Sequence, residues 1–129
     1  NEKGNIVKEV TSNFALKDQS ILFTSDEMGL GNDELGKVLM TGYIYTLTEM
    51  EELPKYIMFV NSAVKLTTKG SKCIDDIKKL EEKGVEILSC GTCLDFLKID
   101  LKDLQVGSVT NMYTIVDNTI NVKNTITIG

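Results

Sequence analysis

Glu86-Ile87-Leu88-Ser89-Cys90-Gly91-Thr92-Cys93-Leu94-Asp95-Phe96 is the stretch whose reading decides the fold. With Val85 ahead of it, an apolar run of strand length breaks into Cys90-Gly91-Thr92-Cys93, and a short amphipathic piece follows. Gly84 precedes the run, at the C′ position where a helix ending there takes a left-handed residue. Helix, strand, turn and helix in that order are one crossover unit of an α/β sheet. Two of the three cysteines fall in the turn, in a chain with no histidine and no tryptophan. Any chemistry is expected there.

Working outward, the same unit repeats. Ser20 to Ser25 is rich in strand formers and reads as the first strand. A turn through Asp26–Gly31 follows, and Asn32 is a good N-cap for a helix from Asp33 to about Glu51, with Asp33 and Glu34 in its first turn. Pro54, the only proline, separates that helix from Tyr56–Asn61, whose continuous apolarity predicts a strand covered on both faces. Ser71 caps a second helix that turns Ile74, Ile77 and Leu80 inward, and Val85–Ser89 is the third strand. Beyond the cysteines come a short helix from Leu94, a piece over Asp100–Leu104, and a strand at Val106–Val109. Asn111 caps a helix carrying Met112, Ile115, Val116 and Ile120, and Thr125–Ile128 closes the chain as a strand.

These elements predict a three-layer α/β/α sandwich on a mainly parallel sheet of about five strands, spanning residues 20–129. Residues 1–19 read as a linker or docking arm, and the polar start without Met suggests a fragment or a processed chain. In an open parallel sheet, functional groups gather beyond the carboxyl ends of the strands. The Asp26–Gly31 loop, the Asn61–Leu66 loop, Cys90–Cys93 and Thr110–Met112 are all expected at that edge.

Composition narrows the function. A formal charge of -5 argues against nucleic acid, and no apolar run approaches the ~20 residues that span a bilayer. Three cysteines make a poor disulfide framework and suit the cytoplasm. The absence of histidine removes Ser-His-Asp and Cys-His catalysis and every imidazole metal site. No cofactor and no resident metal are called for. The glycines at 29, 31 and 36 lack dinucleotide-loop spacing and lie among acidic residues, so they read as a tight turn rather than a phosphate cradle. Cys73, beside the inward face of its helix, reads as core.

Cys90 and Cys93 admit several readings. They are half a zinc site lacking its second ligand pair, a reversible dithiol, a persulfide carrier, or packing. A strand end entering a helix start is expected to be partly exposed and locally electropositive, which weighs against packing. Thr92-x-x-Asp95 fits a capping box, placing Cys93 at N1 and Cys90 ahead of the free amides. Those amides favour a thiolate while Asp95 opposes it, so activation should be modest.

The chain also resembles the DsrE-like sulfur-relay family, and within it the YedF-like selenium-metabolism proteins. The resemblance rests on Met28-Gly29-x-Gly31-x-Asp33-Glu34-Leu35-Gly36, Leu53-Pro54, Asn61-x-x-Val64-x-Leu66, Gly84-Val85-x-Ile87, Cys90-Gly91-Thr92-Cys93-Leu94 and Val106-Gly107-x-x-x-Asn111-Met112-Tyr113. Ala63 stands where the family's Asn-x-Gly-Val element carries glycine. The resemblance implies the α/β/α fold, a homo-oligomer and a sulfurtransferase-like role in carrying sulfur or selenium. Cys90 would be the persulfide acceptor and Cys93 a second thiol that releases or resolves the adduct. Donor and acceptor proteins, including a TusA-like domain, would be the partners. Alternatives are a non-catalytic interaction or ligand-binding module and a dithiol-disulfide redox protein.

Overall fold

Apolar runs and helical spacings alternate along the chain, and the computed structural model, which describes residues 15–129, turns that alternation into a single parallel sheet. Its elements are β1 (Ala15–Phe23), α1 (Asp33–Leu47), β2 (Glu52–Phe59), a 3-10 segment (Asn61–Thr67), α2 (Ile74–Glu82), β3 (Glu86–Cys90) and α3 (Gly91–Phe96). A second 3-10 turn (Leu101–Asp103), β4 (Ser108–Thr110), α4 (Met112–Ile120) and β5 (Asn124–Ile128) complete it. The strand order is β4-β3-β2-β1-β5, with every pair parallel.

Each of the first three crossovers steps one strand toward the β4 edge, and the last returns to the β1 side. Reversing direction with right-handed crossovers puts α4 on the opposite face from α1 and α2. Hydrogen bonds agree. The Thr125 hydroxyl donates to the Thr119 carbonyl of α4 (3.1 Å) and lies 2.9 Å from the Ser20 hydroxyl, on the face away from Phe23. Phe23 meets Tyr43 of α1 edge-on at 5.9 Å and stacks on Phe59 at 5.2 Å. Ile21, Ile57 and Ile87 share that face, while Met58 and Leu88 are buried on the other. Coverage on both sides is why β2 reads as unbroken apolarity.

Several boundaries differ from expectation. β1 begins at Ala15 rather than Ser20, so the last part of the expected 1–19 arm is strand; residues 1–14 lie outside the described residues. Pro54 sits inside β2 instead of ahead of it. It falls where β2 pairs only with β1, since pairing to β3 starts at Tyr56, and beside the irregularity between Lys17 and Ser20. A missing N–H removes little from the ladder there. α1 stops at Leu47, earlier than Glu51, and α2 starts at Ile74 with no side-chain cap, the Ser71 hydroxyl instead accepting from the Cys73 amide. β4 starts only at Ser108 because Gly107, at φ +75°, turns against β3; a Cβ there would stand 2.5 Å from the Ile87 carbonyl oxygen. On α4 only Ile115 and Asn118 are buried, and Met112, Val116 and Ile120 stay exposed, the helix packing chiefly beside β5.

One polar pair fastens the first 3-10 segment to the sheet. Thr67 and Ser89 are fully buried, their hydroxyls 2.7 Å apart. Thr67 gives its single proton to the Val64 carbonyl (2.9 Å), so Ser89 is the donor between them. Thr67→Val leaves the buried Ser89 hydroxyl without its acceptor and removes the hydroxyl bond to the Val64 carbonyl, and should destabilise by about 2–3 kcal/mol, whereas Ser89→Ala leaves Thr67 bonded to Val64 and should cost about 1 kcal/mol. Urea unfolding of the two variants checks the order.

Candidate functional site

Because all five strands run the same way, their carboxyl ends and the loops that follow share one edge. Backbone bonds draw the loops together. The Val60 amide donates to the Phe23 carbonyl (2.9 Å), and the Asp26 amide donates to the Ser62 hydroxyl (3.2 Å). Gly36 lets α1 lie close under the first loop, since a Cβ would come 3.0 Å from Glu27 Cβ. Ala63, buried in the 3-10 segment, has no left-handed backbone, so the turn accommodates alanine without strain.

The cysteine turn is built differently from the expected capping box. Cys90, not Thr92, is the N-cap of α3, and its Sγ accepts from the Cys93 amide at 3.3 Å. Cys93 is therefore at N3, while Thr92 and Asp95 play no capping part. Parallel pairing to Thr110 carries β3 as far as Cys90, and helix geometry begins at the next residue. Gly91 allows the close approach there, as a Cβ would stand 2.9 Å from Val109 Cγ1 and force that side chain to shift. The expectation of an exposed Cys90 is also corrected: the residue is only 2% accessible, and Cys93 is the partly exposed one.

Cys93 has a second neighbour that the sequence did not announce. The Asn61 amide donates to its Sγ at 3.1 Å, across from β2 to β3. Asn61 holds φ +53°, a left-handed conformation that asparagine tolerates better than most residues. An asparagine directly after an apolar strand was the available clue. Burial pushes the Cys93 thiol above its ordinary pKa, with the Cys90 side chain adding to the rise and the Asn61 amide opposing it. Cys73 lies apart in the core, 4.0 Å from the Thr41 hydroxyl, and burial raises its thiol too.

Among the described residues no three His, Cys, Asp or Glu side chains converge to hold a metal ion, so the two thiols meet no third ligand among them. No helix among them is long and apolar enough to cross a membrane. A shallow depression of about 590 Å³ beside the turn is lined by Gly91, Thr92, Asp95 and Val109 among others, and by neither sulfur.

No family model and no curated protein matches this chain. Similar solved structures include the ychN protein from E. coli, with a TM-score of 0.56 and 16% identity, covering 85% of this chain and 99% of that one. A protein of unknown function, MTH1491 from Methanobacterium thermoautotrophicum, has a TM-score of 0.62 and 18% identity over 84% of this chain and 97% of its own. A conserved protein of unknown function, BT1422 from Bacteroides thetaiotaomicron, has a TM-score of 0.57 and 14% identity over 86% and 95%. At such identities the likeness shows the fold alone, and that fold is YchN-like.

The geometry orders the thiols. Iodoacetamide should modify Cys93 before Cys90 and Cys73, with a pH midpoint above the usual thiol range. Replacing Cys90 with alanine removes two of the effects that raise Cys93 and should speed its alkylation at neutral pH severalfold. Peptide mapping over a pH series reads both.

Proposed function

We propose that this protein is a sulfurtransferase-like carrier of sulfur or selenium, working through a persulfide on the Cys90–Cys93 pair, as in the YedF-like branch of the DsrE-like proteins. The observation that carries the reading is the arrangement of Cys93. The residue is partly exposed, its sulfur receives the Asn61 backbone amide from the neighbouring strand end, and it stands three residues from a second, buried cysteine.

In this reading Cys93 takes the first step and Cys90 stands behind it, the reverse of the order the family resemblance implies. The Cys93 thiolate attacks the terminal sulfur of a donor persulfide; a new S–S bond forms, the donor's S–S bond breaks, and the donor leaves as a thiolate. The added atom lies about 2 Å further out. Transfer to an acceptor thiolate repeats the step with roles exchanged. Alternatively, the Cys90 thiolate attacks the inner sulfur of the Cys93 persulfide, forming a Cys90–Cys93 disulfide and expelling hydrosulfide. A raised thiol pKa leaves little thiolate at rest, so loading needs a docked donor that takes the Cys93 proton or brings positive charge beside the sulfur. Donor and acceptor proteins, a TusA-like domain among them, and a homo-oligomer working in a reducing cytoplasm complete the proposal.

A second reading, an interaction or ligand-binding module without covalent chemistry, draws support from the apolar rim of this edge. Phe96 is 84% exposed and Tyr113 80%, with Leu101 and Met112 also open. The dithiol-disulfide reading remains contained in the resolving step.

Incubation with glutathione persulfide followed by intact mass separates them. The wild type should gain one sulfur atom, Cys90→Ala should keep that gain, and Cys93→Ala should lose at least nine-tenths of it. Loss in Cys90→Ala alone would restore the order with Cys90 first. No gain, or an equal gain in the Cys90→Ala/Cys93→Ala double variant, would sink the carrier reading.

A further inference from the structure

Away from Cys90 and Cys93, a groove of about 1000 Å³ runs between α1 and the segment from Lys65 to Cys73, with Lys98 and Ile99 at one end. Lys37, Lys65, Lys69, Lys72 and Lys98 line it, against Asp26 and Asp103. A surplus of positive charge in one groove is notable in a chain of net charge -5. Lys37 has a long contact to Glu27 (3.9 Å), while the other four lysines are exposed and make no ion pair among those of the described residues. Such lysines are point charges free to meet an anion.

Two local rules are broken on this groove, one on each wall. Gly42 lies in the middle of α1, where alanine would hold the helix better, and packing does not require it: a Cβ there meets nothing within 4 Å. Its bare backbone leaves a flat strip between Val38, 66% exposed, and Tyr45. Across the groove, α3 ends in a Schellman motif, with the Ile99 amide on the Leu94 carbonyl (2.9 Å) and the Lys98 amide on that of Asp95 (3.0 Å). Lys98 takes the left-handed C′ position at φ +60°, where α2 places Gly84. The fold is thus less stable at both positions than a one-residue change would make it, and both face the same cavity. Departures of this kind mark functional surfaces.

We infer that this groove is a binding site for a small, multiply charged organic anion with a flat apolar part, the nucleotide class. Its phosphates lie among Lys65, Lys69, Lys72 and Lys98, and its ring covers Gly42 against Tyr45. The volume suits a ligand of that size. The site is separate from Cys90 and Cys93, and the inference stands whether or not they carry sulfur.

Titrating the ¹⁵N-labelled chain with ATP, pyrophosphate or adenosine at low salt tests it. ATP should shift the amides of Thr68–Cys73 and α1, and bind at least tenfold more tightly than either part alone. Lys98→Gly should raise the melting temperature yet weaken ATP binding severalfold, and Gly42→Leu should fold normally and lose binding by tenfold or more. Lys78→Gln with Lys79→Gln, on the exposed side of α2, should stay within twofold of wild type. Absence of shifts at millimolar ATP would overturn the inference. Pyrophosphate binding as tightly as ATP, with Gly42→Leu silent, would overturn it equally, since that is charge attraction without a site.

Discussion

A parallel sheet has two unlike edges, and this protein depends on that asymmetry. Every strand delivers its carboxyl end to the same side, so residues far apart in sequence arrive together without long connections. Asn61 and Cys93 are neighbours only because β2 and β3 are parallel and paired in register from Tyr56 with Glu86 to Phe59 with Ser89. Had β3 slipped by one residue, the side chains on its two buried faces would exchange and the thiol turn would shift along the edge.

The register is passed on to the site by small polar groups rather than by bulk. Ser89, one residue before Cys90, gives its proton to Thr67, and Thr67 gives its own to Val64. The chain of two bonds holds the 3-10 segment against β3 in the dry interior, where an unmet hydroxyl would be costly. Asn61 is the first residue of that segment, so the amide that reaches Cys93 is held by an interaction several residues away. Gly91 completes the arrangement by admitting β4 close to the turn.

Much of this was legible in the sequence, and its limits have physical causes. The alternation of strands and helices, the caps at Asn32 and Asn111 and the stop at Gly84 all follow from local chemistry that the structure repeats. Pro54 misled because a proline is disfavoured in a paired strand, and only the sheet's layout shows that β2 has a single neighbour at that point. Thr92 and Asp95 had the right spacing for a capping box. Pairing with Thr110 carried β3 one residue further than local preference indicates, so the cap fell to Cys90. The same extension buried Cys90 and left Cys93 outward. The Asn61 contact belongs to tertiary structure altogether, since no local pattern joins residues 61 and 93.

The absence of histidine and the raised thiols of Cys73 and Cys93 bear on how the chain answers to acidity. Histidine is the side chain whose ordinary titration falls between about pH 5 and 8, and there is none. Cys73 and Cys93, which could have entered that window from above, are pushed further out of it by burial. These two thiols therefore stay uncharged across the range a cell explores. A signal that changes its state would arrive as electrons, as a transferred atom, as a bound anion or as a partner's surface, since neither histidine nor these two thiols answers to a change in proton concentration near neutrality.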